Sequence, residues 1–269
     1  MKKSRIFYII FLAGVLAISI LNCSKPRLKA NATLEERMQE GIRLFEKGDY
    51  FDAKTQFRVI TLSHSGSLDA DKAQFYLAEC HFNMKEYILS ASEYERLMKV
   101  YPSSEYVDDA KYKLGLSYYK LSPKFSLDQE YTLLSIQHFQ EFLEDYHTSD
   151  LVDEVEQYLL EARNKLAHKV YSSAEIYRKM SYYNAATIYF NKVMEEYYDT
   201  EYAPRALFWI GECNRRLEEY QDALDAFDEF VQKYPDHEWM PRVRAKIKQT
   251  RNEYEKNRSV AQNPGNENE

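Results

Sequence analysis

The sequence predicts an all-α protein: a superhelical array of five helix–turn–helix repeats, with a long helix between the third and fourth. Three observations carry this. Gly and Pro number only 7 each in 269 residues, too few breakers for a fold built on many tight β-turns. Tyr and Phe number 24 and 14, enough apolar surface to build a core rather than leave the chain disordered. One pattern of small and aromatic residues recurs five times in the same register, and self-similarity of this kind marks a repeat architecture. The formal charge of −7, with no long basic stretch, argues against nucleic acid as the main ligand, because phosphate contacts need a cationic face.

The first element is an address. Lys2, Lys3 and Arg5 precede an uncharged run from Ile6 to Leu21, shorter than the roughly 20 residues of a transmembrane helix. A basic start and a short apolar run form a signal-peptide pattern, assigned to 1–22. It ends in Ile20-Leu21-Asn22-Cys23, which resembles a bacterial lipobox; Asn22 stands where Gly or Ala is usual. That resemblance implies a covalent lipid on Cys23, the only group attached to the chain, since no cofactor is expected. Acyl chains on Cys23 give stable anchoring without a span, and 23–33 reads as a tether. Ser24, rather than Asp, after the Cys favours the outer membrane under the enteric sorting rule. The alternative is a retained N-terminal anchor with an incidental Cys.

The repeats follow. Small residues at Gly41, Ala78, Gly115, Ala174 and Gly211 open the series, at intervals of 37, 37, 59 and 37. Aromatics align at Phe57, Tyr94, Phe139, Phe190 and Phe227. Four residues before each stands Ala53, Ser90, Ser135, Ala186 or Ala223; three after each stands Ile60, Leu97, Phe142, Val193 or Phe230. A small side chain at a helix contact lets the axes approach, and the facing aromatic fills the gap. Gly48 is the turn of the first repeat. Tyr101-Pro102 and Tyr234-Pro235 end the second helices of repeats two and five. The pattern resembles the tetratricopeptide repeat (TPR), with repeats one to three over 34–149 and repeats four and five over 150–258.

The long interval carries 22 extra residues. Eight fall around Leu121–Gln129 as a loop within repeat three. The other fourteen fall in Leu151–Met180, which lacks Pro and Gly and therefore reads as one helix about 45 Å long at ~1.5 Å per residue, a strut between a three-repeat half and a two-repeat half. A helix over Arg242–Arg258 caps the array, as a solenoid requires; its basic face is either solvated surface or a contact for an acidic partner. The Asn-rich 259–269 is expected to be disordered.

A lipobox, five repeats, Leu127-Asp128-Gln129 in the repeat-three loop, and Leu166-Ala167-x-x-x-Tyr171-x-x-Ala174-x-x-Tyr177 leading to Tyr183-x-x-Ala186 resemble the BamD family, outer-membrane lipoproteins of the β-barrel assembly machine. The resemblance runs from Cys23 to about Ile247. It implies a non-enzymatic scaffold, lipid-anchored to the outer membrane and facing the periplasm. Its implied partners are a BamA-like barrel protein bound through its POTRA domains, unfolded outer-membrane proteins, and accessory lipoproteins. The competing reading is another envelope TPR adaptor, such as the periplasmic coordinator of the Tol–Pal system, which lacks the 22-residue irregularity.

Helical spacing from each small residue gives the positions facing a concave groove. Repeats one to three offer Met38, Ile42, Phe45, Phe75, Phe82, Tyr112, Leu116 and Tyr119; of these Phe45, Phe75, Phe82, Tyr112 and Tyr119 are the candidates for a substrate-peptide groove. Repeats four and five offer His168, Glu175, Arg178, Arg205, Glu212 and Arg215. Arg178, Lys192, Arg205 and Arg215 are the candidates for a folded, charged partner; Lys192 lies where the BamD pattern also carries a basic residue. The alternative is that the aromatics pack against neighbouring helices. No catalytic residues are expected: the six His fall in no paired metal-ligand spacing, and there is neither GxSxG nor a glycine-rich phosphate loop. Cys80 and Cys213 read as structural thiols.

Overall fold

Eleven helices and no strand make up the described part of the chain, residues 31–262 of a computed structural model, with side chains described through 260. They are α1 (Leu34–Glu46), α2 (Tyr50–Ser63), α3 (Ala70–Asn83), α4 (Tyr87–Val100), α5 (Val107–Leu121), α6 (Glu130–Asp145), α7 (Val152–Lys179), α8 (Tyr183–Glu196), α9 (Tyr202–Arg216), α10 (Tyr220–Lys233) and α11 (Met240–Gln262). The segment 1–22, Cys23 and most of the tether lie outside the described residues, as does 263–269.

Thr33 starts α1 through a capping box. Its hydroxyl accepts from the Glu36 amide, and the Glu36 carboxylate accepts from the Thr33 amide at 2.8 Å. From there each predicted repeat is a helix pair, α1–α2 to α9–α10, with α11 as the cap. The repeating pattern is also the core. Phe57, Tyr94, Phe139, Phe190 and Phe227 are all fully buried, as are Ile60, Leu97, Phe142, Val193 and Phe230 and the five small residues four before the aromatics. The small-to-aromatic pairing is literal. A Cβ built on Gly41 would lie 2.8 Å from the Phe57 ring, one on Gly115 2.7 Å from Phe139, and one on Gly211 2.5 Å from Phe227.

The turns were only partly legible in the sequence. Gly48 has φ +77°, as a left-handed turn residue should. The same position, two residues before the next helix, is filled in three other repeats by Lys85, Ser181 and Glu218, with φ of 61°, 61° and 65°. Two of them close their helices as Gly48 does: the Ser181 amide donates to the Arg178 carbonyl and the Glu218 amide to the Arg215 carbonyl. A side chain here costs about 1–2 kcal/mol over Gly; at Ser181 and Glu218 the packing of the flanking helices imposes the geometry.

The long helix is continuous. α7 has 28 residues, about 42 Å at ~1.5 Å per residue. It does not separate two halves at 149–150, however. The chain divides into two compact units after Met84, so α1–α3 form the first and α4–α11 the second. Within the second unit α7 packs against α5, α6, α8 and α9, welding repeats three to five into one body. Arg163 of α7 donates to both Asp199 carboxylate oxygens at 2.6 and 2.7 Å and to the Glu196 carbonyl, pinning the end of α8. The cap also exceeds expectation: α11 runs past Arg258 to Gln262, so the first residues of the predicted disordered tail are helical. Val243 is fully buried and Ile247, one turn on, packs on the same core.

Candidate interaction surfaces

In the first unit Phe75 and Phe82 stand seven residues apart on α3, which puts them on one helix face two turns apart. Both are half-buried. Phe45 is half-buried as well, held edge-on by Tyr50 and Tyr76 with ring centroids 5.3 and 5.2 Å away. Tyr76 in turn stacks on the core ring of Phe57 at 5.3 Å. Phe45 is therefore partly a packing residue. Met38 is buried outright.

In the second unit Tyr112 and Tyr119 do not line an open groove, contrary to the expectation from helical spacing. Tyr112 is only 4% exposed and donates to the Glu154 carboxylate at 2.7 Å; Tyr119 donates to Glu161 at 2.6 Å. Tyr158 sits between them, 6.5 Å from Tyr112 and 5.0 Å from Tyr119 by ring centroid. Burial, then the Glu161 hydrogen bond, pushes the Tyr119 phenol upward, so it stays protonated and donates to Glu161. These tyrosines are the ladder that joins α5 to the extra turns of α7. The extension created by the 14-residue insertion covers them, which is why repeat spacing alone misplaced them. Leu116 is also buried.

The repeat-three loop is tied to α7. Lys165 donates to the Ser122 hydroxyl at 2.7 Å and Lys169 to the Leu127 carbonyl at 2.7 Å. The Gln129 amide donates to the carbonyls of Lys124, Leu127 and Asp128, which fixes the loop's shape. His168 lies between Phe125 and Tyr202, with centroids 3.7 and 5.0 Å away, and burial holds its imidazole below the ordinary value. A cavity of about 380 Å³ opens beside this stack, lined by Lys124, Phe125, Glu161, His168 and Tyr202 among others.

The four predicted partner residues behave differently from one another. Lys192 is half-exposed beside Glu196 at 3.7 Å. Arg205 is partly exposed, pairs with Glu201 at 3.1 Å and lies over the Tyr202 ring. Arg178 pairs with Glu175 at 2.7 Å, its guanidinium 3.9 Å above Trp209. Arg215 is the correction. Its side chain is 7% exposed and bonds Glu212 at 3.0 Å and Glu253 of α11 at 2.9 Å, while Lys246 bonds Glu212 at 2.9 Å. Burial opposes ionisation of Glu212, but hydrogen bonds from Arg215 and Lys246 outweigh it and hold the carboxyl below its usual range. Arg215 locks the last repeat to its cap and is unavailable to a partner. Spacing placed it on the inner face, and α11 then covered that face.

Sequence reasoning missed Trp209, and took Arg242 only as part of the basic face of the cap. Trp209 follows Arg205 by four residues on α9, the spacing that shares a helix face, and that was the available signal. Among the described residues no three His, Cys, Asp or Glu are grouped to hold a metal, and no helix is long and apolar enough to cross a membrane. Cys80 and Cys213 are free and buried. Burial pushes their thiols up to about 12 and about 11, the inert condition expected of structural cysteines.

A family described as "Outer membrane lipoprotein" (YfiO) matches residues 31–223, a span that covers four repeats and enters the fifth. The chain belongs to that family. Its relatives are BamD proteins, the outer-membrane protein assembly factors. It is 27% identical over 182 residues to a putative BamD of Aquifex aeolicus, which is 66% of this chain and 60% of that protein. It is 23% identical to BamD of Rickettsia prowazekii over 77% of this chain and 82% of that one, and 21% identical to BamD of Vibrio cholerae over 73% and 86%. Solved structures it resembles include the TPR2AB domain of yeast Sti1 in a pHSP90 complex, at 13% identity, TM-score 0.43, 84% of this chain and 86% of that one. Another is the TPR domain of P58(IPK), at 22% identity, TM-score 0.40, 88% and 61%.

Proposed function

We propose that this YfiO/BamD-family chain is a non-enzymatic scaffold of outer-membrane β-barrel assembly, anchored to the membrane by lipid on Cys23 and facing the periplasm. The observation that carries the reading is the family match across 31–223. The two units suit two kinds of ligand. Half-buried Phe75 and Phe82 on one face of α3, with Phe45 on α1, fit the alternating apolar side chains of an unfolded barrel strand, whose recognition needs apolar pockets. Lys192, Arg205 and Arg178 of the second unit fit the POTRA domains of a barrel-forming partner, a folded surface with charges of its own. The unoccupied aromatic role that Tyr112 and Tyr119 were expected to fill falls to these three phenylalanines.

The test is capture from detergent-solubilised envelopes with the full chain as bait, followed by mass spectrometry. Recovery of a POTRA-bearing barrel protein is expected. Recovery of Tol–Pal components instead would replace this reading with that of an envelope adaptor. Cys23→Ala is expected to leave a heavier, unlipidated precursor away from the outer membrane; unchanged mass and fractionation would remove the anchor from the proposal.

A further inference from the structure

Arg242 opens α11 and stands in an aromatic cage. Its guanidinium carbon lies 4.3 Å from the Phe208 ring centroid, 5.1 Å from Trp239 and 5.2 Å from Trp209. Phe208 is fully buried, Trp209 and Trp239 are half-buried, and Arg242 is exposed. Rings of this kind attract a cation through their faces and hold the guanidinium flat. They leave its in-plane N–H donors, the fork that matches a carboxylate, unengaged by the rings. The neighbouring arginines are already paired: Arg178 with Glu175, Arg205 with Glu201, and Arg215 with Glu212 and Glu253. No carboxylate of the described residues pairs with Arg242. Arg178 lies over the same Trp209 indole with Glu175 as its counter-charge, whereas Arg242 has no paired carboxylate among the described residues.

We infer that Arg242 is a receptor for an Asp or Glu side chain on a partner polypeptide. One unpaired fork suits a monoanion; a phosphate dianion calls for a second unpaired cation, and the Arg178 fork already holds Glu175. The rim argues for a polypeptide rather than a free acid. Two half-buried indoles around an arginine make the composition and surface of a protein-interface hot spot. The inference goes beyond the assembly-factor reading, because it names one residue and the chemistry it takes whichever protein supplies the acid.

The chain reports on this site itself, since its only two tryptophans, Trp209 and Trp239, flank Arg242. The full-length, detergent-solubilised protein is titrated into the millimolar range with a blocked peptide alternating Ser and Glu, and with its Ser–Gln counterpart. The Glu peptide is expected to change tryptophan emission saturably and the Gln peptide to do nothing. Arg242→Met should weaken the response about tenfold or more, Lys256→Met on the same helix should not, and circular dichroism checks the fold of both. If Arg242→Met does not fold, Arg242→Lys decides: it keeps the charge and loses the flat fork, and an unchanged response overturns the proposal. An equal response to the Gln peptide also overturns it. So does inorganic phosphate reproducing the shift at equal concentration, which would make this a free-anion site. Sedimentation with phosphatidylglycerol vesicles that depends on Arg242 would make it a membrane contact instead.

Discussion

Gly211→Ala should destabilise the second unit even though alanine is the better helix former. A new Cβ at 211 would lie 2.5, 2.7 and 2.8 Å from three atoms of the Phe227 ring, all well inside contact distance. Phe227 is fully buried and has the fully buried Phe208 ring 5.9 Å away, so it cannot swing clear. Replacing Gly by Ala within a helix gains about 1 kcal/mol. Overpacking a dense core costs about 1–3 kcal/mol, and three simultaneous contacts place this case at the upper end. The net loss is about 1–2 kcal/mol, and at this size each kcal/mol lowers Tm by about 2–4 °C. Gly66→Ala is the control, because nothing lies within 4 Å of its built Cβ; it should change stability by less than about 0.5 kcal/mol. Thermal and urea melts followed at 222 nm measure both. Phe227→Leu combined with Gly211→Ala should recover about 1 kcal/mol relative to additivity, because the ring that clashes is gone. A Gly211→Ala protein that melts at or above the wild type, or an additive double mutant, would refute the claim that these glycines set the approach of the two helices of a repeat.

Four other outcomes are expected. Glu218→Gly should stabilise the chain by about 1 kcal/mol, because it removes a side chain from a left-handed turn at φ 65°; a lower denaturation midpoint would count against it. Arg215→Met should cost about 2 kcal/mol, because buried Glu212 keeps only Lys246 as a cationic partner and half-buried Glu253 loses its guanidinium. Both carboxyls are held below their usual range despite burial, so their contribution is present above the unfolded glutamate value and is lost as pH falls through the lowered one; the wild type should weaken below about pH 4 and the variant should show a shallower loss in pH-dependent melts. Leu159→Pro, mid-way along α7, should cost about 3 kcal/mol or more; an unaltered melting curve would mean the helix is not continuous there. Phe75→Ala with Phe82→Ala should weaken binding of a barrel-strand peptide by about a hundredfold and spare the envelope complex, while Lys192→Glu with Arg205→Glu should release the complex and spare the peptide; identical losses in both would mean that the two surfaces act as one.

The repeat register is local information. Gly41, Ala78, Gly115, Ala174 and Gly211, and the aromatics sixteen or more residues later, recur in the sequence and reappear as the core. So does α7, because a run without Pro or Gly needs only its own residues to stay helical. Helical periodicity fixes which side chains share a face. It does not say what that face meets, and the site residues divided on this point. Tyr112 and Tyr119 were covered by α7, forty-odd residues away, and Arg215 by α11, whereas Lys192 stayed half-exposed beside Glu196 of its own helix. Lys85, Ser181 and Glu218 carry no glycine to announce their left-handed turns; at Ser181 and Glu218 the packed helices on either side impose the conformation. Arg242 was legible as one basic residue among seven in the cap. Its cage exists only because Phe208, Trp209 and Trp239 converge on it from two separate stretches of chain. The sequence by itself determined the helices and the faces that pair within each repeat, since both depend on neighbours within a few turns. The tertiary structure alone decided which polar groups are locked and which stay open, since that depends on contacts between elements far apart along the chain.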